Sequence, residues 1–309
     1  MGKKMLTTLL MSMLGAMGLA SISAVGQQPE TAEEAARAPA DNVETIIGTD
    51  WREELTGTGD DDWIEGARGF DTLDGLDGDD TLYGDEGRDL LKGGAGDDLL
   101  DGGAWHDALG GEAGDDTLLG GAGMDTLLGG AGDDSLAGGD WDDLLIGGSG
   151  ADVLDGGSGA DILFGNGPQD GLTAAQFHDG LEAIWEDAEA WAGLSPEEQT
   201  ALAQEVLAQF IDGAAALPAP DAPDTIDGGA GDDTIFAGAG DVATGGDGAD
   251  SFFVGNWVGS GAEITDFTAQ DFLTVTYDAS AGAVAPIIAV TTLENGDQIV
   301  TADGVEVAR

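Results

Sequence analysis

Gly93-Gly94-Ala95-Gly96-Asp97-Asp98-Leu99-Leu100-Asp101 and Gly129-Gly130-Ala131-Gly132-Asp133-Asp134-Ser135-Leu136-Ala137 are two copies of one nine-residue unit. Outward from them the unit recurs thirteen times between Gly48 and Phe164 without an insertion, with an acid at the sixth position and Leu or Ile at the eighth. Glycine supplies the φ > 0 conformations of a sharp turn, and the three residues around the eighth position suffice only for a very short strand. Turn and strand therefore alternate, and two units close one coil of eighteen residues. The expected fold is all-β: a right-handed parallel β-roll of nonapeptide repeats, with a sheet on each side and a column of loops along each edge. Its interior is one file of side chains: Leu55, Ile64, Leu73, Leu82, Leu91, Leu100, Leu109, Leu118, Leu127, Leu136, Leu145, Leu154 and Leu163.

The sixth positions run Glu53, Asp62, Asp71, Asp80, Asp89, Asp98, Asp107, Asp116, Asp125, Asp134, Asp143, Asp152 and Asp161. Acids eighteen residues apart stack on the same edge and repel one another unless a cation lies between them. Carboxylates beside exposed loop carbonyls are hard oxygen donors, which suit Ca²⁺. The twelve aspartates of this column, with Asp233 and Asp250 in a later block, are the candidate metal ligands. Seven loops on one edge and six on the other leave room for at most about eleven ions in the main roll.

The unit G-G-x-G-x-D-x-U-x resembles the calcium-binding repeats of the RTX (haemolysin-type) family. That resemblance implies ions between consecutive loops of one edge, held by the Asp carboxylates and by backbone carbonyls of the glycine turn. It also implies an extracellular destination. The single-file core is thin, and a formal charge of −54, from 62 acids against 8 Lys and Arg, adds self-repulsion. Folding is thus expected to wait for a Ca²⁺-rich medium outside the cell.

The chain has no cysteine, so disulfides and thiolate metal sites are excluded. Its acidity disfavours nucleic acid and anionic membranes as partners. Lys3 and Lys4 precede an uncharged apolar run, Met5 to Val25, and Ala24-Val25-Gly26 offers a small-residue cleavage site. Residues 1–26 are read as a secretory signal peptide, or alternatively as an uncleaved membrane anchor, and 27–43 as a linker. The expected location is secreted and extracellular, or the cell surface if the anchor stays. Members of the resembling family mostly leave by a type I exporter, so this leader is a departure from their habit.

The two edges differ. Where loops start at Gly57, Gly75, Gly93, Gly111, Gly129 and Gly147, the fifth position is Asp61, Asp79, Asp97, Asp115, Asp133 and Ala151. On the other edge it is Arg52, Phe70, Arg88, His106, Met124, Asp142 and Ala160, and the fourth position is Trp51, Trp105 and Trp141 in three loops. The tryptophans are 54 and 36 residues apart, whole numbers of coils. Such a composition is enriched at interfaces. The row is read as covered by another part of the chain, or as the seat of a homo-oligomer or a surface glycan.

Past the main roll (44–165), residues 166–218 carry two capping boxes, Thr173-Ala174-Ala175-Gln176 and Ser195-Pro196-Glu197-Glu198, and an apolar stripe Phe177, Leu181, Ile184, Ala188, Trp191. This predicts an inserted αα-hairpin, docked on outward residues such as Leu128, Leu144, Ile146, Ile162 and Phe164 and capping the end of the coil. Residues 219–254 form a second, degenerate repeat block, in which Val242 occupies the ligand place of a shortened unit. Residues 255–309 read as a C-terminal β-rich segment with a hairpin around Asn295-Gly296.

Familiar catalytic patterns are missing. The only histidines are His106 and His178, and neither H-E-x-x-H nor G-x-S-x-G occurs. Paired acids are part of the repeat and signal no glycosidase. The chain is expected to be a non-enzymatic, secreted, calcium-folded structural or adhesive protein. The alternative is a secretion and folding module of an exported effector.

Overall fold

A computed structural model describes residues 43–166, 222–255, 261–276, 288–292, 298–302 and 305–308. They form two parallel sheets facing each other across the file of apolar side chains. One sheet stacks Glu44–Ile47, Asp62–Glu65, Thr81–Gly87, Leu99–Ala104, Thr117–Ala122, Ser135–Asp140, Val153–Ser158, Thr225–Ala230, Val242–Thr244 and Glu263–Ile264, with Arg68–Gly69 paired beside Thr81–Gly87. The other stacks Glu54–Thr56, Thr72–Asp77, Leu90–Ala95, Ala108–Ala113, Thr126–Ala131, Leu144–Ser149, Ile162–Asn166, Thr234–Ala237, Ser251–Gly255 and Phe272–Thr276. The fold is a parallel β-solenoid, all-β throughout the described residues.

Register follows the eighteen-residue coil. Leu118 lies between Leu100 and Leu136 in one sheet, and Leu127 between Leu109 and Leu145 in the other. The eighth-position side chains from Leu55 to Leu163 are 0–4% exposed, and Ile226, Ile235, Ala243 and Phe252 prolong the same file. In-register stacking is forced by this pattern, since a one-residue slip would turn every apolar side chain outward.

The roll does not end at residue 165. Val153 pairs with Thr225, Leu154 with Ile226 and Ile162 with Thr234. These offsets are 72 residues in place of eighteen, so the chain leaves an edge loop after Asn166 and returns in phase. The second repeat block is therefore no separate unit but the continuation of both sheets. Capping of the coil end by residues 166–218 is corrected on the same ground, because Thr225–Ala230 and Thr234–Ala237 already occupy that end. The expected helices lie in 167–221, outside the described residues. On the outward face, Phe164, Phe236 and Phe253 stack with centroids 4.2 and 4.7 Å apart, tying the strand before the splice to the two after it.

The solenoid also runs into the C-terminal segment. Phe272–Thr276 pairs with Ser251–Gly255, and Glu263–Ile264 with Val242–Thr244. The glycine loop has ended there, and the Asp266 carboxylate accepts the Gly245 and Gly246 N–H groups in its place (2.9 and 2.8 Å). Ile288–Thr292, Gln298–Ala302 and Val305–Ala308 form a separate antiparallel sheet. The first two strands make the hairpin read around Asn295-Gly296, and Val300 joins the core.

First-position glycines are required by close approach. A Cβ on Gly120 would meet the Gly138 carbonyl oxygen at 2.6 Å and Asp125 Oδ2 at 2.7 Å. Gly120→Ala is expected to destabilise the Ca²⁺-loaded protein by about 1–3 kcal/mol, read as a lower denaturant midpoint in saturating Ca²⁺.

Candidate metal centre

From Asp71 onward each sixth-position aspartate is held by the coil that precedes it, whereas Asp62 accepts the Thr58 N–H of its own loop. On one edge the Asp62 N–H donates to Asp80 Oδ1 (2.7 Å), Asp80 to Asp98 (2.7 Å), Asp98 to Asp116 (2.8 Å), Asp116 to Asp134 (2.9 Å) and Asp134 to Asp152 (2.9 Å). On the other edge Asp71 donates to Asp89 (2.7 Å), Asp89 to Asp107 (2.7 Å), Asp107 to Asp125 (2.8 Å), Asp125 to Asp143 (2.7 Å) and Asp143 to Asp161 (2.8 Å). The two ladders cross the splice, from Asp152 to Asp224 and from Asp161 to Asp233.

All fourteen candidate ligands lie on these ladders and are 0–3% exposed. The ladders hold further rungs that the nine-residue frame missed. Asp224 and Asp241, each 1% exposed, continue one ladder, and Asp271 ends the other by accepting the Asp250 N–H. Asp241, not Val242, takes the ligand place of the shortened unit: one residue is deleted, and the Asp224 to Asp241 step is 17. The pairing of an Asp with an apolar residue two places later, as in Asp241 and Ala243, was the signal available. At the start of the column, Glu53 is only half-buried and bonds the Thr49 N–H and hydroxyl.

One carboxylate oxygen per rung makes the ladder, and the other is left over. Oδ2 of Asp71, Asp80, Asp89, Asp98, Asp107, Asp116, Asp125, Asp134, Asp143, Asp161 and Asp233 is buried without a hydrogen-bond partner, as is Oδ1 of Asp62. Burial drives these acids toward the protonated form, against the opposing pull of the ladder hydrogen bonds. It raises Asp71, Asp80, Asp116 and Asp233 to about 6, Asp89, Asp98, Asp125, Asp134 and Asp161 to about 7, and Asp107 and Asp143 to about 9. Asp271 contrasts with them: burial pushes it up, but hydrogen bonds from Thr268 and Asp250 outweigh this and hold it below the usual carboxylate range.

The orphaned oxygens face glycine carbonyls. A Cβ placed on Gly84 would meet Gly102 O at 2.6 Å and Asp89 Oδ2 at 2.8 Å, and one on Gly102 would meet Asp107 Oδ2 at 2.8 Å and Gly120 O at 2.9 Å. A carboxylate oxygen from one coil and a carbonyl oxygen from the next thus converge where a side chain would start. Among the described residues no three His, Cys, Asp or Glu side chains gather as a cage. The donor set is carboxylate plus backbone carbonyl, which fits a hard cation of high coordination number.

Fifth-position aspartates build an outer, solvent-exposed ladder of opposite polarity. The Asp79 N–H donates to Asp61 Oδ1 (3.1 Å), Asp97 to Asp79 (3.1 Å), Asp115 to Asp97 (2.9 Å) and Asp133 to Asp115 (2.9 Å). On the tryptophan edge His106 takes this part, its Nδ1 accepting the Met124 N–H at 2.7 Å. Burial and the nearby Arg88 charge hold its pKa below the ordinary value, which suits a neutral acceptor.

Trp51, Trp105 and Trp141 are 76%, 63% and 65% exposed, so the row stands open to solvent. Trp105 and Trp141 both have φ 90°, in places where most other loops have glycine. A side chain in that region costs on the order of 1–2 kcal/mol.

A parallel solenoid with buried carboxylate ladders beside glycine carbonyls is a repeat protein whose loops offer the oxygen donors that suit hard cations. Residues 56–91, 77–109, 110–140, 138–170 and 221–241 match the RTX calcium-binding nonapeptide repeat (four copies), so the repeats in these stretches are of that family. The protein is a calcium-binding structural repeat protein. No curated protein matches the chain.

The raised pKa values fix how pH acts. The folded, metal-free coil binds more protons than the unfolded chain, so its stability is fullest below about pH 4 and is lost as pH rises through the folded values of about 6 to 9. Ca²⁺ requires the deprotonated acids, so its affinity should rise over the same interval. Titration of Ca²⁺ at pH 6.5 is expected to release protons, measurable by calorimetry in buffers of different ionisation enthalpy. Acidification to about pH 4 in EGTA should restore β-structure by circular dichroism.

Proposed function

We propose that this chain is an exported, non-catalytic structural or adhesive protein whose folding is switched on by extracellular Ca²⁺. The observation that carries the reading is the file of buried carboxylate oxygens with no hydrogen-bond partner. An unpaired buried carboxylate is costly, and a cation between stacked pairs removes that cost together with the repulsion. In a medium poor in Ca²⁺ the chain, with its charge of −54, has no such compensation. Where Ca²⁺ is abundant, binding free energy becomes folding free energy. Residues 62–161 and 224–250 would hold the ions through the Asp carboxylates and glycine carbonyls already described. The basic start and apolar run of residues 3–25 support export, with the cell surface as destination if that segment stays attached.

Circular dichroism of the chain lacking residues 1–26 should show β-structure appearing cooperatively with Ca²⁺ and reversing with EGTA. Mg²⁺ should not replace it, because it dehydrates reluctantly and demands regular octahedral geometry. A chain equally folded in EGTA at pH 7.5 would sink the proposal. Asp107→Ala and Asp116→Ala, one on each ladder with rungs on both sides, should each raise the Ca²⁺ midpoint more than Asp250→Ala near the ladder's end.

A further inference from the structure

We propose that the tryptophan edge is a stacking platform for a neutral, extended polysaccharide. The inference rests on the reading that Ca²⁺ orders the coils, since the platform exists only when they are stacked. Exposed aromatic side chains occur on this edge at Trp51, Phe70, Trp105 and Trp141, with Phe70 53% exposed. At the fourth position Trp105 and Trp141 fall two coils apart, Trp51 lies three coils before Trp105, and Phe70 stands one place later in its own loop, in the coil after Trp51. With strands spaced about 4.8 Å, the two-coil step is about 10 Å.

An extended β-1,4-linked chain presents the same ring face at every second sugar, a repeat of the same order as two strand spacings. Aromatic rings two coils apart therefore meet equivalent faces of alternate sugars. Between Trp105 and Trp141 the intervening fourth position is the buried Gly123, which adds no side chain to obstruct a ligand.

Charge selects among ligands. The outer aspartates that line the opposite edge, Asp61 through Asp133, are absent here from Arg52 to Met124. Asp140 and Asp142 flank Trp141, so the fifth-position acid returns at that end of the edge, on a chain whose overall field repels polyanions. A neutral sugar chain bears no charge to be repelled and offers apolar ring faces to the indoles. Both Trp105 and Trp141 are retained at φ 90°, a conformation unfavourable to any side chain, and this happens at two loops in phase.

The test uses the full chain in saturating Ca²⁺, by affinity electrophoresis through soluble β-1,4-glucan and by pull-down on cellulose and chitin. The wild type should be retarded or retained on at least one of these. Trp105→Gly/Trp141→Gly, which restores glycine at both positive-φ places, should keep the Ca²⁺ midpoint and circular dichroism while weakening retention roughly tenfold or more. Trp105→Phe/Trp141→Phe, which keeps a ring, should recover part of the loss. Absence of retention by the Ca²⁺-folded wild type would overturn the platform and leave the Ca²⁺ reading standing. So would undiminished retention of the glycine variant, or retention on polygalacturonate alone that disappears in salt. A dimer in sedimentation equilibrium that dissociates in the glycine variant would assign the edge to a second copy and equally overturn the proposal.

Discussion

The leftover oxygen of each ladder aspartate is the constraint on which the rest of the molecule depends. One oxygen of the carboxylate is spent on the N–H of the preceding coil, and this bond fixes the acid in a place that water does not reach. The other then has three possible partners: a proton, a cation, or nothing. Nothing is the costly case. Much else follows from keeping that oxygen placed: the first-position glycines that leave room for it, the in-register sheets that stack its neighbours, and the thin apolar file that spaces the two edges.

Proton and metal therefore compete for one position. The competition is steepest at Asp107 and Asp143, where burial raises the pKa to about 9, and it fades at Asp271, an intermediate-exposure rung satisfied by local hydrogen bonds. The two ladders at each regular loop run in opposite directions, the inner one donating forward along the chain and the outer one backward. Every interior coil is in consequence both donor and acceptor toward each neighbour, which couples adjacent coils without any contact between distant ones.

Most of this was legible in the sequence because one period controls it. Leu at the eighth place and Asp at the sixth gave the coil, the core and the columns of buried carboxylates, since a fixed spacing leaves no freedom about which face a residue takes. Legibility failed where the period broke. Counting by nine put Val242 in the ligand place, whereas the strands hold their register and shift the deletion into the loop, so that Asp241 occupies it. The continuity across residues 167–221 was hidden for a related reason: nothing local to Asn166 or Ala222 announces that strands 72 residues apart will pair. Asp266 replaces a glycine turn by side-chain acceptance, and no repeat pattern encodes that. The exposure of the tryptophans likewise depends on what lies beside them in space.

The splice has a mechanical and modular consequence. Both ends of the excursion are anchored in successive coils at one edge, the edge opposite the tryptophan row, so the sheets run on in register across the splice. Lengthening such a loop costs little closure entropy, because that cost grows only with the logarithm of its length. An edge loop of this solenoid is therefore a grafting point, where a passenger segment can be exchanged without altering the number of coils or the phase of the scaffold that presents it.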